Sequence, residues 1–245
     1  MSHDLQFFLD TASLDEIRRW QAIGLVQGVT TNPALLAKEG GDPLEQLRRV
    51  AELVEGPVSA QVTRSESAGM VPQGRALARV APNVVVKVPA TLEGFRAAQQ
   101  LTDDGIVCNI TLAFDPSQGI PFARIPVGYL SLILGRVEDF GEQHAAYVAR
   151  CREMLDALGS PTRLLVASLR NPHHLQAAIS GGADVVTVPP ATWNHVHANP
   201  LTQQGERDFM TSWQTLDPTL RGPYERLGQE RQSERPARPA AVAGA

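Results

Sequence analysis

A lysine inside an apolar segment is the feature of this sequence with the clearest chemical potential. Only two of the 22 basic residues are lysines, Lys38 and Lys87, and the other 20 are arginines. Lys87 lies in the run VVVKVP, which is typical of a buried parallel strand. Burial lowers the pKa of an amine and leaves a neutral nucleophile that can attack a carbonyl, which an arginine cannot do. The alternative is a lysine that extends to solvent or pairs with a buried carboxylate.

A carboxylate at the end of the first apolar segment is a second candidate. Asp10 ends the first strand in the run FFLDTA, and at the end of a strand it can act as general base for a substrate hydroxyl. The alternative is an N-cap for the following helix. Ser13, followed by Glu16 in a capping-box pattern, is the better candidate for that cap.

The segment GVTTNP supplies polar groups directly after another short strand. Thr30, Thr31 and Asn32 offer hydroxyl and amide groups suited to a polyhydroxylated ligand. Turn and cap chemistry before Pro33 explains the same residues equally well. In CNIT, Asn109 and Thr111 share one face by the period of two along a strand, and Ser131 lies on the next strand.

Three residues after later strands form a candidate phosphate site. Arg136, Ser168 and Arg170 combine guanidinium groups with a hydroxyl, the usual means of holding such an anion. Taken alone, each arginine is better explained as a solvated loop residue.

A metal site is not predicted. His195 and His197 form an H-x-H pair, a spacing that can bind a metal ion from a strand. On a helix the two side chains diverge, and no further cluster of ligands accompanies them.

The composition excludes several classes of protein. A formal net charge of −4 argues against a nucleic-acid binder. Two cysteines cannot form a disulfide framework, so we expect a reducing compartment, the cytoplasm. No apolar run approaches the roughly 20 residues that span a bilayer. The N-terminus lacks the basic and apolar regions of a secretory signal.

Strand and helix patterns alternate along the chain, and eight units follow one another without a break. The predicted strands are Gln6–Leu9, Gly28–Val29, Val58–Val62, Val84–Val88, Ile106–Ile110, Gly128–Leu132, Arg163–Ala167 and Asp184–Val188. The predicted helices are Ser13–Ile23, Asn32–Lys38, Pro43–Val54, Ser65–Val80, Thr91–Asp103, Pro116–Ile125, Gly141–Leu158 and Pro172–Ser180. This alternation predicts an α/β protein with a closed (β/α)₈ barrel, whose site lies at the carboxyl ends of the strands. An open doubly wound sheet is the alternative.

The C-terminal part differs in composition. Residues Leu201–Leu216 predict one further helix outside the barrel, which completes a single domain over residues 1–217. Residues 218–245 mix charges of both signs with four prolines and few large apolar residues. We therefore expect a disordered tail over 218–245.

Between Gln6 and Leu216 the sequence resembles the small transaldolase and fructose-6-phosphate aldolase family. The motifs that carry the resemblance are, in order, FFLDTA, GVTTNPALLAKEG, GPVSAQV, VVVKVPAT, GIVCNITLAF, LGR, ASLRNP, GADVVTVP and NPLTQQG. The resemblance implies a (β/α)₈ barrel in which Lys87 forms a Schiff base with the ketone of a ketose phosphate. It implies that Asp10 takes the proton of the C4 hydroxyl as the C3–C4 bond breaks. The dihydroxyacetone enamine left on the lysine then attacks an acceptor aldehyde or is released by hydrolysis.

The same resemblance implies roles for further residues. Asn32 and Asn109 match residues that hold the donor's hydroxyls and the Schiff-base region, and Thr111 matches one that orders the catalytic water. Arg136 and Ser168 match the phosphate site, with Arg170 as an additional basic position. No metal and no organic cofactor is implied. The implied partners are sugar phosphates and further copies of the chain, packed through the C-terminal helix.

Two positions depart from the family pattern. Gln61 stands where transaldolases of the group have Glu and the aldolase branch has Gln, and an amide can position water but cannot relay a proton. Ile133 stands where the family has Phe or Tyr, so it provides no hydroxyl and changes the shape of the pocket. Transfer of the C3 unit is the leading expectation. The alternatives are aldol cleavage, an unusual acceptor sugar, and sugar-phosphate binding without turnover.

Overall fold

A closed barrel of parallel strands forms the centre of the protein. The computed structural model describes residues 5–138 and 145–227. Within them, eight strands pair in sequence order and β1 pairs with β8 to close the ring. The strands are β1 Gln6–Asp10, β2 Gly28–Thr30, β3 Val58–Gln61, β4 Val84–Pro89, β5 Cys108–Ala113, β6 Tyr129–Ile133, β7 Arg163–Ala167 and β8 Val185–Val188. The predicted (β/α)₈ barrel is confirmed, and the open doubly wound sheet is wrong.

Helices connect the strands and cover the outside of the barrel. Those of the barrel are α1 Leu14–Gln21, α2 Pro33–Glu39, α3 Pro43–Leu53, α4 Ser67–Ala78, α5 Leu92–Asp103, α6 Leu134–Glu138, α7 Ala145–Ala157, α8 Pro172–Ser180 and α9 Pro190–His197. The predicted start of α7 at Gly141 lies outside the described residues. Several helices begin with proline in the first turn behind an Asn or Asp cap, as in α2, α3 and α8.

The connection between β5 and β6 is not the predicted α-helix. Pro116–Gly119 and Phe122–Arg124 form two short 3₁₀ turns instead. Pro121 lies between them, and its ring and missing N–H prevent the first turn from continuing. The predicted helix over 116–125 is therefore wrong.

The predicted capping box at α1 is also wrong. Ser13 occupies the N-cap position, but its side chain makes no cap hydrogen bond. Instead the Ser13 backbone N–H donates to Thr11 Oγ1 at 3.1 Å. Glu16 accepts a hydrogen bond from Trp20 Nε1 at 3.1 Å rather than bonding back to the cap.

The interior of the barrel changes character along the strands. An inner apolar cluster is formed by one residue from each of five strands, namely Phe8, Val85, Tyr129, Leu165 and Val185. Successive inward positions lie two residues apart. Two residues beyond four of these apolar side chains, toward the carboxyl ends, lie Asp10, Lys87, Ser131 and Thr187. The apolar cluster therefore closes one half of the barrel and leaves polar groups in the other.

The chain divides after His197 into two compact units. The second unit contains α10 Pro200–Gln214 and α11 Pro218–Arg226. Within this unit the Trp213 and Tyr224 rings lie 5.0 Å apart, and Trp213 Nε1 donates to Glu225 at 3.1 Å. Residues 218–226 are thus helical where a disordered tail is expected, and residues 228–245 lie outside the described part of the chain.

Among the described residues, no helix combines the length and apolarity needed to cross a membrane.

We expect Gly94→Ala to destabilise the barrel by about 2 kcal/mol or more. A Cβ at Gly94 would lie 1.9 Å from the carbonyl oxygen of Pro89, so α5 would have to move away from the end of β4. Denaturant unfolding measures the change. Gly69→Ala in α4 is the matched control because the added methyl would meet only the flexible Arg64 side chain. Equal stability of the two variants would contradict the close contact.

Candidate active site

A cavity of about 360 Å³ opens at the carboxyl ends of the strands. The four predicted catalytic residues line it: Asp10, Gln61, Lys87 and Thr111. Five of the predicted binding residues line it as well: Thr30, Asn32, Ser131, Arg136 and Ser168. Neither Asn109 nor Arg170 contributes to its lining. Residues from distant parts of the chain meet here because parallel strands end at one rim of the barrel.

Lys87 lies in the wall of this cavity with only 7% of its surface exposed. Its Nζ donates to the backbone carbonyl of Thr31 at 3.1 Å. Burial lowers the pKa of the Lys87 amine below its ordinary value, and the charge of Asp10 opposes this shift. The result is an anchored amine with an increased neutral fraction.

Asp10 faces the same cavity and is partly buried. Its Oδ1 accepts a hydrogen bond from Thr30 Oγ1 at 2.8 Å. Burial raises the pKa of the Asp10 carboxyl above its ordinary value, while the charge of Lys87 and the Thr30 hydrogen bond oppose this shift. Asp10 does not cap α1, so its carboxylate is directed to the cavity instead.

Asn109 lies fully buried and holds other side chains. Its Nδ2 donates to Ser59 Oγ at 3.1 Å, and its Oδ1 accepts from Ser131 Oγ at 2.6 Å. It is paired with Lys87 in the register of β4 and β5. In this geometry Asn109 connects three strands and orients Ser131, which does line the cavity.

Asn32 both lines the cavity and caps a helix. It lines the cavity, and its Oδ1 also accepts from the Leu35 backbone N–H at 3.0 Å as the cap of α2. The cap fixes the side chain at the cavity rim.

Arg136 and Ser168 form a cationic end of the cavity. Arg136 is exposed on the short helix α6, and Ser168 follows β7 with a φ of 61°, in the left-handed region. The Gly135 N–H donates to the Ser168 carbonyl at 3.1 Å, which joins the two segments. A Cβ at Gly135 would lie 2.2 Å from that oxygen, so the contact requires glycine.

Arg170 occupies a different position from Arg136. The Arg170 side chain passes close to Gly135, because a Cβ added at Gly135 would lie 3.1 Å from Arg170 Cγ. The backbone N–H of Arg170 donates to His174 Nδ1 at 3.2 Å. Its side chain is exposed outside the cavity lining.

Sequence reasoning missed two polar or strained contributors to the cavity. Thr187 lines it from β8, and its spacing of two from Val185 is a signal that could have found it. Leu112 lines it with a φ of 61°, beside a register shift in the pairing of β5 and β6. No local sequence signal marks a leucine in the left-handed region.

The arrangement can support nucleophilic and general acid–base catalysis. A buried amine and a carboxyl group share one cavity, and hydroxyl and amide groups surround them. His195 and His197 lie on α9, away from this lining. Within residues 5–138 and 145–227, no cluster of three or more His, Cys, Asp or Glu residues is placed to hold a metal ion.

Solved structures show the same fold at low sequence identity. The carboxyl transferase domain of Rhizobium etli pyruvate carboxylase matches with a TM-score of 0.57 and 10% identity, over 77% of this chain and 40% of that chain. At this identity the likeness concerns the barrel alone.

Sequence relatives are much more similar. A probable transaldolase of Lactiplantibacillus plantarum is 39% identical over 215 residues, which cover 88% of this chain and 99% of that protein. Probable transaldolase 2 of Listeria monocytogenes is 41% identical, over 86% of this chain and 97% of that protein. A probable transaldolase of Methanococcus maripaludis is 39% identical, over 86% of this chain and 98% of that protein. Residues 7–221 match the family described as Transaldolase/Fructose-6-phosphate aldolase, and the chain belongs to this family of enzymes.

Proposed function

We propose that the protein transfers a dihydroxyacetone unit from a ketose phosphate to an aldose phosphate through a Schiff base at Lys87. The observation that carries the proposal is the buried amine of Lys87 in one cavity with Asp10. Arg136 and Ser168 at the same cavity supply a place for the phosphate. Family membership supports the sugar-phosphate substrate class.

Bond formation begins at the neutral amine. Lys87 Nζ attacks the C2 ketone of the donor to give a carbinolamine. This intermediate takes up a proton from the solvent and loses water, which gives an iminium ion. The iminium is a better electron acceptor than the ketone. The hydrogen bond from Nζ to the Thr31 carbonyl holds the amine at the cavity wall before the attack.

Asp10 then moves the proton that carbon–carbon cleavage requires. Its carboxylate takes the proton of the C4 hydroxyl, the C3–C4 bond breaks, and the electron pair neutralises the iminium to an enamine. The aldehyde product leaves. In the reverse sense the enamine attacks an acceptor aldehyde, Asp10 returns its proton to the new hydroxyl, and water hydrolyses the resulting iminium.

The remaining polar residues are proposed to bind substrate and water. Thr30, Asn32 and Ser131 would contact the donor's hydroxyls, while Asn109 would act through Ser131. Gln61 and Thr111 would hold the water that adds to the iminium. Arg170 would add only long-range positive charge, because its side chain lies outside the lining.

Two other functions are candidates: aldol cleavage that releases dihydroxyacetone, and transfer to an unusual acceptor. Ile133 favours the unusual acceptor, because it lines the cavity with an apolar side chain where the family has an aromatic ring. Gln61 is a neutral amide at the position paired with Lys87 in the register of β3 and β4. Product analysis with a panel of acceptor aldehydes separates these outcomes from transfer to erythrose 4-phosphate.

Association of several copies and a reducing compartment complete the proposal. Leu201, Phe209 and Met210 are exposed apolar residues on α10, and a partner copy would cover them.

Cys108 and Cys151 are free and buried, and burial raises the pKa of both thiols to about 12. Such unreactive thiols suit the cytoplasm.

Borohydride reduction tests the nucleophile. With fructose 6-phosphate present, we expect a reduced C3 adduct on Lys87, detected by whole-protein and peptide mass, together with transfer to erythrose 4-phosphate. Lys87→Met should abolish the adduct, because no buried amine is left. Lys38→Met is the control and should still form it, since Lys38 is exposed on α2. Undiminished trapping by Lys87→Met would place the nucleophile elsewhere.

The pH dependence of kcat/KM follows from the two shifted groups. Asp10 must be ionised to accept a proton, so the acid limb should lie above pH 3.8, the ordinary value of an aspartate. Lys87 must be neutral to attack, so the plateau should be reached below pH 10.5, the ordinary value of a lysine. Steady-state kinetics across pH measures both limbs. Asp15→Asn, a change at an exposed carboxylate, should leave both in place.

A loss of the acid limb is expected only in Asp10→Asn. A plateau at or above pH 10.5 would show that the attacking amine is not buried.

Arg136 and Arg170 should differ in their effect on phosphate binding. We expect Arg136→Gln to raise the KM for fructose 6-phosphate about 30-fold, because a charge-assisted hydrogen bond is lost in the cavity. Activity toward unphosphorylated fructose should change little. Arg170→Gln should alter this KM less than about threefold, because its side chain does not line the cavity. Equal losses in both variants would argue against the assignment.

A further inference from the structure

Thr187 is a buried polar residue for which the reaction outlined above has no role. It lies on the inner face of β8 with 1% of its surface exposed, and it lines the cavity. Its Oγ1 is 2.7 Å from Thr30 Oγ1. Thr30 in turn is 2.8 Å from Asp10 Oδ1, so three strands contribute to one row of hydrogen bonds.

The direction of these bonds follows from the number of available protons. A carboxylate only accepts, and each threonine hydroxyl has a single proton to donate. When Asp10 is ionised, the Thr30 proton is directed to Asp10. The contact between the two hydroxyls then needs the proton of Thr187. The row therefore runs from Thr187 to Thr30 to Asp10.

A hydroxyl that accepts a hydrogen bond becomes a stronger donor, and this cooperative effect is larger away from water. Both threonines are 1% exposed. The bond from Thr187 thus strengthens the bond that Thr30 makes to the carboxylate. It also fixes the Thr30 hydroxyl on Oδ1, which leaves Oδ2 to meet a substrate proton.

We propose that Thr187 is a positioning residue that stabilises the ionised, proton-accepting form of Asp10 through Thr30. The proposal rests on the proposed function, in which Asp10 is the base. The strands on either side of β1 contribute uncharged groups: Thr30 from β2 bonds to Asp10, and Thr187 from β8 bonds to Thr30. Lys87 on β4 carries the charge that acts on Asp10, and Arg136 is the other cationic residue of the cavity lining.

The test compares variants that keep or remove one hydroxyl. Thr187→Val retains the shape of the side chain but has no proton to donate, whereas Thr187→Ser retains the hydroxyl. Thr162→Val is the matched control, because Thr162 is also buried and bonded through its hydroxyl, to the Val127 carbonyl at 3.2 Å, but does not line the cavity. The pKa of Asp10 is read directly by carbon-13 NMR of labelled aspartate carboxyls, assigned with Asp10→Asn.

We expect Thr187→Val to raise the pKa of Asp10, and with it the acid limb of kcat/KM, by about half a pH unit. Thr187→Ser and Thr162→Val should titrate like the unaltered protein. Thr30→Val should give a larger shift in the same direction. Adding Thr187→Val to Thr30→Val should change nothing further, because Thr187 acts through Thr30.

Three results would overturn the proposal: no shift in Thr187→Val, an equal shift in Thr187→Ser, or additive shifts in the double variant. The second result would reduce Thr187 to a packing residue. Failure of the unaltered protein to be trapped by borohydride would instead reject the proposed function. The carboxyl titration needs no turnover. It therefore tests the effect of Thr187 on the pKa of Asp10 whether or not the proposed function holds.

Discussion

The burial of Lys87 is the constraint on which the rest of the site depends. An ammonium group taken from water is strongly destabilised, so its surroundings must lower its charge or compensate it. The Thr31 carbonyl accepts a hydrogen bond from Lys87 Nζ, and Asp10 supplies the opposite charge. These partners lie on β1 and after β2, whereas Lys87 is on β4. Only a closed ring of strands brings them to one point, so the barrel is a condition of the chemistry.

Much of the site could be predicted from the sequence because the inner positions of a strand repeat every two residues. Lys87, Asp10 and Thr30 are predicted at the same rim, because each lies near the carboxyl end of a predicted strand, in VVVKVP, FFLDTA and GVTTNP respectively. What could not be predicted depends on partners distant in sequence. Asn109 is held by Ser59 on β3 and Ser131 on β6, and no pattern within CNIT reveals that both ends of its amide are engaged.

The capping-box rule failed at α1 because close neighbours in the sequence compete for the same groups. Thr11 Oγ1 accepts the hydrogen bond of the Ser13 backbone N–H, and the Trp20 indole donates to Glu16. In residues 218–226 the average composition conceals a local helical pattern. Asp217 caps α11, Pro218 opens it, and Leu220, Tyr224 and Leu227 recur at helical spacing. Average polarity alone therefore underestimates the structure of such a segment.

Gln61 shows how a single neutral side chain can tune the amine. It pairs with Lys87 in the register of adjacent strands, so a carboxylate at this position would place a second negative charge near Nζ. That charge would favour the ammonium form and raise the pKa of Lys87, against the effect of burial. An amide keeps hydrogen-bonding capacity without this charge. The neutral fraction of the amine is then governed by burial and by Asp10, the two influences that the barrel itself imposes.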